Sequence, residues 1–272
     1  MTLPTLGAAI KRGDFDILEP WLRAGERAIE IQDFVFPEVL AGDTAPLVES
    51  YRACLRGYGG PIGLHGPFFG LDIANPEPEI RAVIRRRLIQ VLEITQALGG
   101  SHMVIHSPFT YWHVLNRHNY PQFRAAMFEA AADCLAPVLA RAEAAGVTLV
   151  LENIDDTDPA ARVELVRAID HACLRVSLDT GHAELAHGRY NAPPVVDFIA
   201  AAGDSLAHVH LQDADGYADR HWHPGEGCIP WPAVFNALAR LPQCPRLILE
   251  VRNNLGRLPA TVARLEALGL AR

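Results

Sequence analysis

Six short apolar runs in this chain end on residues that can ligate a metal or carry a proton. LHGPF ends its run at His65, VIHSPF at His106 and LVLENI at Glu152; SLDTGH supplies Asp179 and His182. HVHLQD supplies His208 and His210, and LILEVR supplies Glu250. The loop segment DRHWHPGEG adds Asp219 and His221. Carboxylates and imidazoles placed directly after buried runs are desolvated and repel one another unless something positive lies among them. A divalent metal is the economical partner, and mixed oxygen and imidazole donors suit Mn, Co, Zn, Fe or Mg.

These residues need elements that bring the six run ends to one place. Aliphatic runs alternate with amphipathic stretches rich in Ala, Leu and Arg, the pattern of consecutive βα units. Strands are expected at Gly7–Ile10, Ala28–Ile31, Ile62–Leu64, Met103–Ile105, Thr148–Leu151, Arg175–Leu178, Ala207–Leu211 and Arg246–Leu249. Helices are expected near Phe15–Ala24, Thr44–Tyr58, Pro78–Leu98, Tyr120–Ala145, Pro159–Ala172, Pro193–Ala202, Trp231–Leu241 and Pro259–Leu268. Eight such units in about 250 residues fit an α/β fold, a (β/α)8 TIM barrel of one domain over residues 1–272. A doubly wound dinucleotide fold is disfavoured, because no G-x-G-x-x-G follows the first strand. In a barrel the run ends converge at the C-terminal face, together with the long loops Ser107–Asn119 and Gln212–Pro230.

Composition narrows the function classes. The 24 basic residues against 32 acidic ones give a net charge of −8, which disfavours nucleic acid as a partner. Lys11 is the sole lysine, so Schiff-base chemistry has a single candidate. Five cysteines without a C-x-x-C pair read as reduced thiols in a cytoplasmic protein. No apolar run reaches the length of a membrane span, and no export signal opens the chain.

The segments HGPFFGLDIANPEPEIR, VIHSPF, LENID, LDTGHAELA, HVHLQDADGYADRHWHPGEGCIPW and LEVR resemble those of the xylose isomerase-like TIM barrels. That superfamily contains sugar phosphate isomerases and epimerases, and also abasic-site endonucleases of the endonuclease IV type. The resemblance runs from the third strand onward. It implies a one-metal epimerase site of Glu152, Asp179, His210 and Glu250, with Glu152 and Glu250 as catalytic base and acid. The endonuclease branch would add His65, His106, His182, Asp219 and His221, so one to three ions per chain are implied. DTGHA and HLQD stand where that branch usually has a cysteine before the histidine and HLND, which favours the sugar branch. The expected reaction is proton transfer through an enediolate of a sugar, sugar phosphate or related polyol ketone. A three-metal phosphodiesterase is the alternative.

Arg252, Arg220, His223 and Trp112 are candidate substrate contacts, the arginines for a phosphate or carboxylate. Tyr111, His113, Arg117 and His118 share the loop of Trp112 and are candidates for a lid. His208 is expected to pack or support a ligand from below, Asp213 to orient a histidine or cap a turn, and Glu30 to reach the rim of the site. His102, His171 and His187 are assigned no role. Arg85–Arg87 are expected on a solvated outer helix face. The partner expected is a small sugar-like molecule, and a homo-oligomer is compatible with the sequence.

Overall fold

Runs of Val, Ile, Leu and Ala fold here as parallel strands because both faces are covered, one by the barrel interior and one by helices. The computed structural model describes residues 3–272. Its strands are β1 (Leu6–Ile10), β2 (Ile29–Ile31), β3 (Ile62–His65), β4 (His102–His106), β5 (Thr148–Glu152), β6 (Leu174–Asp179), β7 (Leu206–Leu211) and β8 (Arg246–Leu249). They pair in sequence order and close, β8 against β1, so the TIM barrel read from the sequence is the fold.

The helices are α1 (Arg12–Ala24), α2 (Pro37–Ala41), α3 (Ala45–Cys54), α4 (Pro78–Ala97), α5 (Tyr111–Leu115), α6 (Phe123–Ala145) and α7 (Pro159–Ile169). They continue as α8 (Thr180–Tyr190), α9 (Val195–Ala202), α10 (Trp231–Ala239) and α11 (Leu258–Ala267). Proline opens α3, α4, α7, α10 and α11, where its missing N–H is one of the unpaired first-turn donors anyway.

Three helices lie outside those expected from the sequence. Two are the short α2 and α5; the third, α8, begins directly at Thr180, with no loop after β6. Asp179 thus ends the strand and caps the helix, its Oδ1 accepting the His182 N–H at 2.7 Å. Its carboxylate is therefore fixed by backbone geometry. Arg85–Arg87 lie on the outer ring as expected: Arg85 pairs with Asp133 on α6, and Arg87 donates to the Leu40 carbonyl at 2.7 Å. Among the described residues no helix is long and apolar enough to cross a membrane.

Beneath the loop after β5, Arg162 on α7 is fully buried and meets Asp156 at 3.3 Å. Burial pushes the Asp156 carboxyl up to about 6, against the pull of Arg162 and the Ser107 hydroxyl. Removing one partner of such a pair leaves a buried charge uncompensated. Arg162→Met is expected to destabilise the protein by about 3–5 kcal/mol at pH 8. The deficit should shrink at pH 5, where Asp156 takes a proton; urea unfolding at the two pH values checks both points.

Candidate metal centre

Four neighbouring strands each contribute one ligand candidate at their C-terminal ends. Glu152 and Asp179 close β5 and β6, His210 is the penultimate residue of β7, and Glu250 follows β8. Side-chain alternation turns His210 inward with His208, while Val209 faces the helices. His210 Nδ1 lies 2.8 Å from Glu152 Oε1, 3.4 Å from Glu250 Oε2 and 4.0 Å from Asp179 Oδ2. All four residues are buried, and one donor atom from each falls within 4.8 Å of the others. Glu152 Oε2 and Asp179 Oδ2 have no hydrogen-bond partner. Three carboxylates around one imidazole, with two buried oxygens unpaired, fit a divalent cation by charge and by donor chemistry.

Two further clusters flank this one. His65 and His106 place Nε2 at 3.4 and 3.6 Å from Glu152 Oε2 and 3.3 Å from each other. On the other side, Asp219 lies 3.5 Å from His182 Nε2 and 3.0 Å from His221 Nε2. Three of these imidazoles share a device. His65 Nδ1 donates to the Gly66 carbonyl at 2.8 Å, His182 Nδ1 to Asn153 at 2.9 Å and His221 Nδ1 to Glu250 at 2.9 Å. A backbone carbonyl at Nδ1 fixes the tautomer and turns the Nε2 lone pair toward the cluster, as at metal-ligating histidines. His221 also holds φ at 49°, a left-handed backbone that a non-glycine residue adopts only under constraint.

Without a cation the charges are balanced by protons. Burial works against a charged imidazole, yet the neighbouring carboxylates hold His210 and His182 well above their usual range. Burial pushes Asp179 up to about 6, with Glu152 and Glu250 adding to it. At Glu152 burial pushes the same way, but the surrounding histidines overcome it and hold the carboxyl well below the usual range. Metal ligation requires deprotonated imidazole, so uptake at pH 7 is expected to release protons. Apparent affinity should therefore rise with pH, by about tenfold per unit for each proton displaced. Titration calorimetry in buffers of different ionisation enthalpy measures the proton count.

The remaining candidates divide. Arg252 is half exposed, 3.7 Å from Glu250 Oε1, and helps line a cavity of about 30 Å³ with Lys11, Gln32, Phe36, His65 and Glu250. Arg220 is engaged by Asp215 through Nε at 3.0 Å and Nη2 at 2.7 Å, and covers Trp222. His223 is buried with both ring nitrogens taken, by the Asn253 carbonyl at 2.9 Å and Thr261 Oγ1 at 2.8 Å, so it fastens the loop to α11 rather than offering a substrate contact. Trp112 stacks on Tyr120 with centroids 5.6 Å apart, in a surface aromatic cluster. Asp213 orients no histidine; it gathers the Gly225 and Ile229 N–H groups and Trp231 Nε1, shaping the loop after β7.

Two expectations are corrected by the barrel interior. Glu30 lies beneath the cluster rather than at its rim, and His102, given no role, opens β4 pointing inward to Glu30 at 3.3 Å. Two residues went unnoticed. Gln212 bridges the clusters, Nε2 donating to Asp179 at 3.2 Å and Asp219 at 2.9 Å while Oε1 accepts the His221 N–H at 2.9 Å. Asn153 brackets Asp179, accepting its N–H at 2.8 Å and donating to its carbonyl at 3.0 Å. Their positions directly after Leu211 and Glu152, in HLQD and LENI, were the available signal.

Residues 15–268 match the model of the family described as xylose isomerase-like TIM barrel. The D-psicose 3-epimerase of Ruminiclostridium cellulolyticum is 24% identical over 212 residues, 75% of this chain and 67% of that protein. A protein from Thermus thermophilus, solved after soaking with ZnCl2, is 28% identical, with a TM-score of 0.73 over 98% of this chain and 99% of that one. A D-tagatose 3-epimerase-like protein is 20% identical, with a TM-score of 0.73 over 98% and 97% of the two chains.

Proposed function

Because the chain belongs to the xylose isomerase-like TIM barrel family, we propose that it is a divalent-metal-dependent isomerase or epimerase of a sugar, sugar phosphate or related polyol ketone. The observation that carries this reading is the convergence of Glu152 and Glu250 on one atom, His210 Nδ1, at 2.8 and 3.4 Å, with Asp179 at 4.0 Å closing the group. Glu152, Asp179, His210 and Glu250 would hold the ion. When bound, it supplies Lewis acidity toward a carbonyl and its neighbouring hydroxyl, lowering the cost of an enediolate. Mn, Co, Zn, Fe and Mg all suit the donor set.

One of the two glutamates takes the proton α to the carbonyl and the other returns a proton to the enediolate carbon. Each is held in orientation for this. Gln32 donates to Glu250 Oε1, and His210, His65 and His106 surround Glu152. Arg252 and Lys11 on the rim offer positive charge to a phosphate or carboxylate carried by the substrate. Five free thiols fit a reducing, cytoplasmic compartment.

The tautomer-locked flanking clusters favour a second reading, a three-metal phosphodiesterase. Two measurements separate the readings: ions per chain in protein purified without chelator, and solvent deuterium incorporation into a panel of ketoses and sugar phosphates. One ion and exchange at the α-carbon support the epimerase. Three ions, no exchange and cleavage of abasic-site DNA support the phosphodiesterase.

A further inference from the structure

Below the four carboxylate and imidazole ligand candidates, the barrel interior is polar where branched aliphatics ordinarily fill the layers. Glu30 on β2, His102 on β4, Ser177 on β6 and His208 on β7 are all buried there. Register brings them together: Glu30 stands beside Gly63, Gly63 beside His102, and Ser177 beside His208. Gly63 is what admits the His102 ring, since a Cβ at that position would overlap it.

Contacts in this layer converge on Glu30. The Ser177 hydroxyl lies 2.9 Å from His208 Nδ1 and anchors that ring, whose Nε2 stands within ion-pair distance of Glu30 Oε2, at 3.0 Å, without the alignment of a hydrogen bond. His102 Nε2 approaches the same oxygen at 3.3 Å. The other carboxylate oxygen, Oε1, lies 2.7 Å from His210 Nε2. Glu30, acceptor-only when ionised, thus has three imidazoles around it and no other cation within ion-pair distance among the described residues.

We propose that Glu30 is the positioning carboxylate of His210: it accepts the Nε2–H, so that the Nδ1 lone pair faces Glu152, Asp179 and Glu250, while Ser177, through His208, and His102 hold Glu30 in register. This rests on the reading of those four residues as a metal site. The opposite tautomer would point a proton into the site and turn the lone pair on Glu30, repelling both. The carboxylate also raises the basicity of the imidazole as a ligand.

The test uses the wild type, Glu30→Gln and Ser177→Ala, each loaded with Zn²⁺, and measures dissociation constants by chelator competition. Glu30→Gln is expected to bind Zn²⁺ about 10- to 100-fold more weakly, the range for loss of a carboxylate behind a ligand histidine. Ser177→Ala should weaken binding in the same direction by a smaller factor. Nitrogen-15 correlation spectra of the Zn²⁺ form should show His210 protonated at Nε2, its proton shifted far downfield in the wild type and less so in Glu30→Gln. A merely structural defect would lower the melting temperature without moving that resonance. Unchanged affinity in Glu30→Gln, or a His210 proton on Nδ1, overturns the role of Glu30. Should Glu30→Gln fail to fold, Ser177→Ala decides: a changed affinity and His210 shift support the proposal, wild-type values overturn it. A wild type that takes up no divalent ion overturns the metal site itself.

Discussion

Glu152→Gln lowers turnover by about 10²- to 10⁴-fold and abolishes exchange of the substrate α-hydrogen with solvent, the expected result when a carboxylate is the base. Glutamine keeps the shape of the side chain, which is buried at the end of β5 beside His65, His106 and His210. It removes the charge and the ability to take a proton. Because Glu152 also sits among the ligand candidates, rates must be measured at saturating metal, with the bound ion counted in each variant. Glu250→Gln is expected to show a loss of the same order, and the double variant little more than either single one, since the two groups act on one proton-transfer sequence. Deuterium incorporation followed by proton NMR checks the assignment. Full exchange in Glu152→Gln would remove it as the base, and turnover that retains the substrate hydrogen in the wild type would replace proton transfer by a hydride shift.

Stripping the metal is expected to abolish turnover and to destabilise the fold. An ion held at about 1,000 times its dissociation constant contributes about 4 kcal/mol to stability by mass action. For a chain of this size that corresponds to a fall in melting temperature on the order of 10 °C. The structural reason is local: without an ion, Glu152 Oε2 and Asp179 Oδ2 are buried without a hydrogen bond, and protons on the neighbouring imidazoles must neutralise the group. Calorimetric scans before and after chelator treatment, with stepwise return of Mn²⁺, Co²⁺ or Zn²⁺, measure the effect. Identical scans with and without chelator would mean that the cluster binds no ion tightly.

The barrel and the ring of ligand types were legible in the sequence for one reason. Parallel strands buried on both faces read as uninterrupted apolar runs, so a histidine or carboxylate at the end of each run stands out, and the fold brings run ends together whatever the loops do. Glu152, Asp179, His210 and Glu250 are among the residues marked in this way; the resemblance singled them out as one set, and one donor atom from each lies within 4.8 Å of the others. Resemblance to a family then attached a chemistry to the arrangement. Side chains in loops carried no comparable signal. Arg220 and Arg252 look alike in the chain, yet Arg220 is taken by Asp215, whereas Arg252 stands beside Glu250 at the mouth. His223 looked like a substrate contact until both its ring nitrogens proved to be bonded.

The layer beneath the site was decided only in three dimensions. Which residue of a strand faces the barrel axis, and at what depth, depends on strand tilt and stagger, which no single run reports. Glu30 is the middle residue of a three-residue strand, and His102 is the first residue of its strand, a position that reads from sequence as a helix-to-strand connection. Only closure of the sheet, with Gly63 leaving space for a ring, sets His102, His208 and His210 around one carboxylate. Local composition thus determined the strands, their order and the ligand types at their ends. The orientation of those ligands came from tertiary structure, because a hydrogen bond that selects a tautomer joins residues as far apart in the chain as Glu30 and His210.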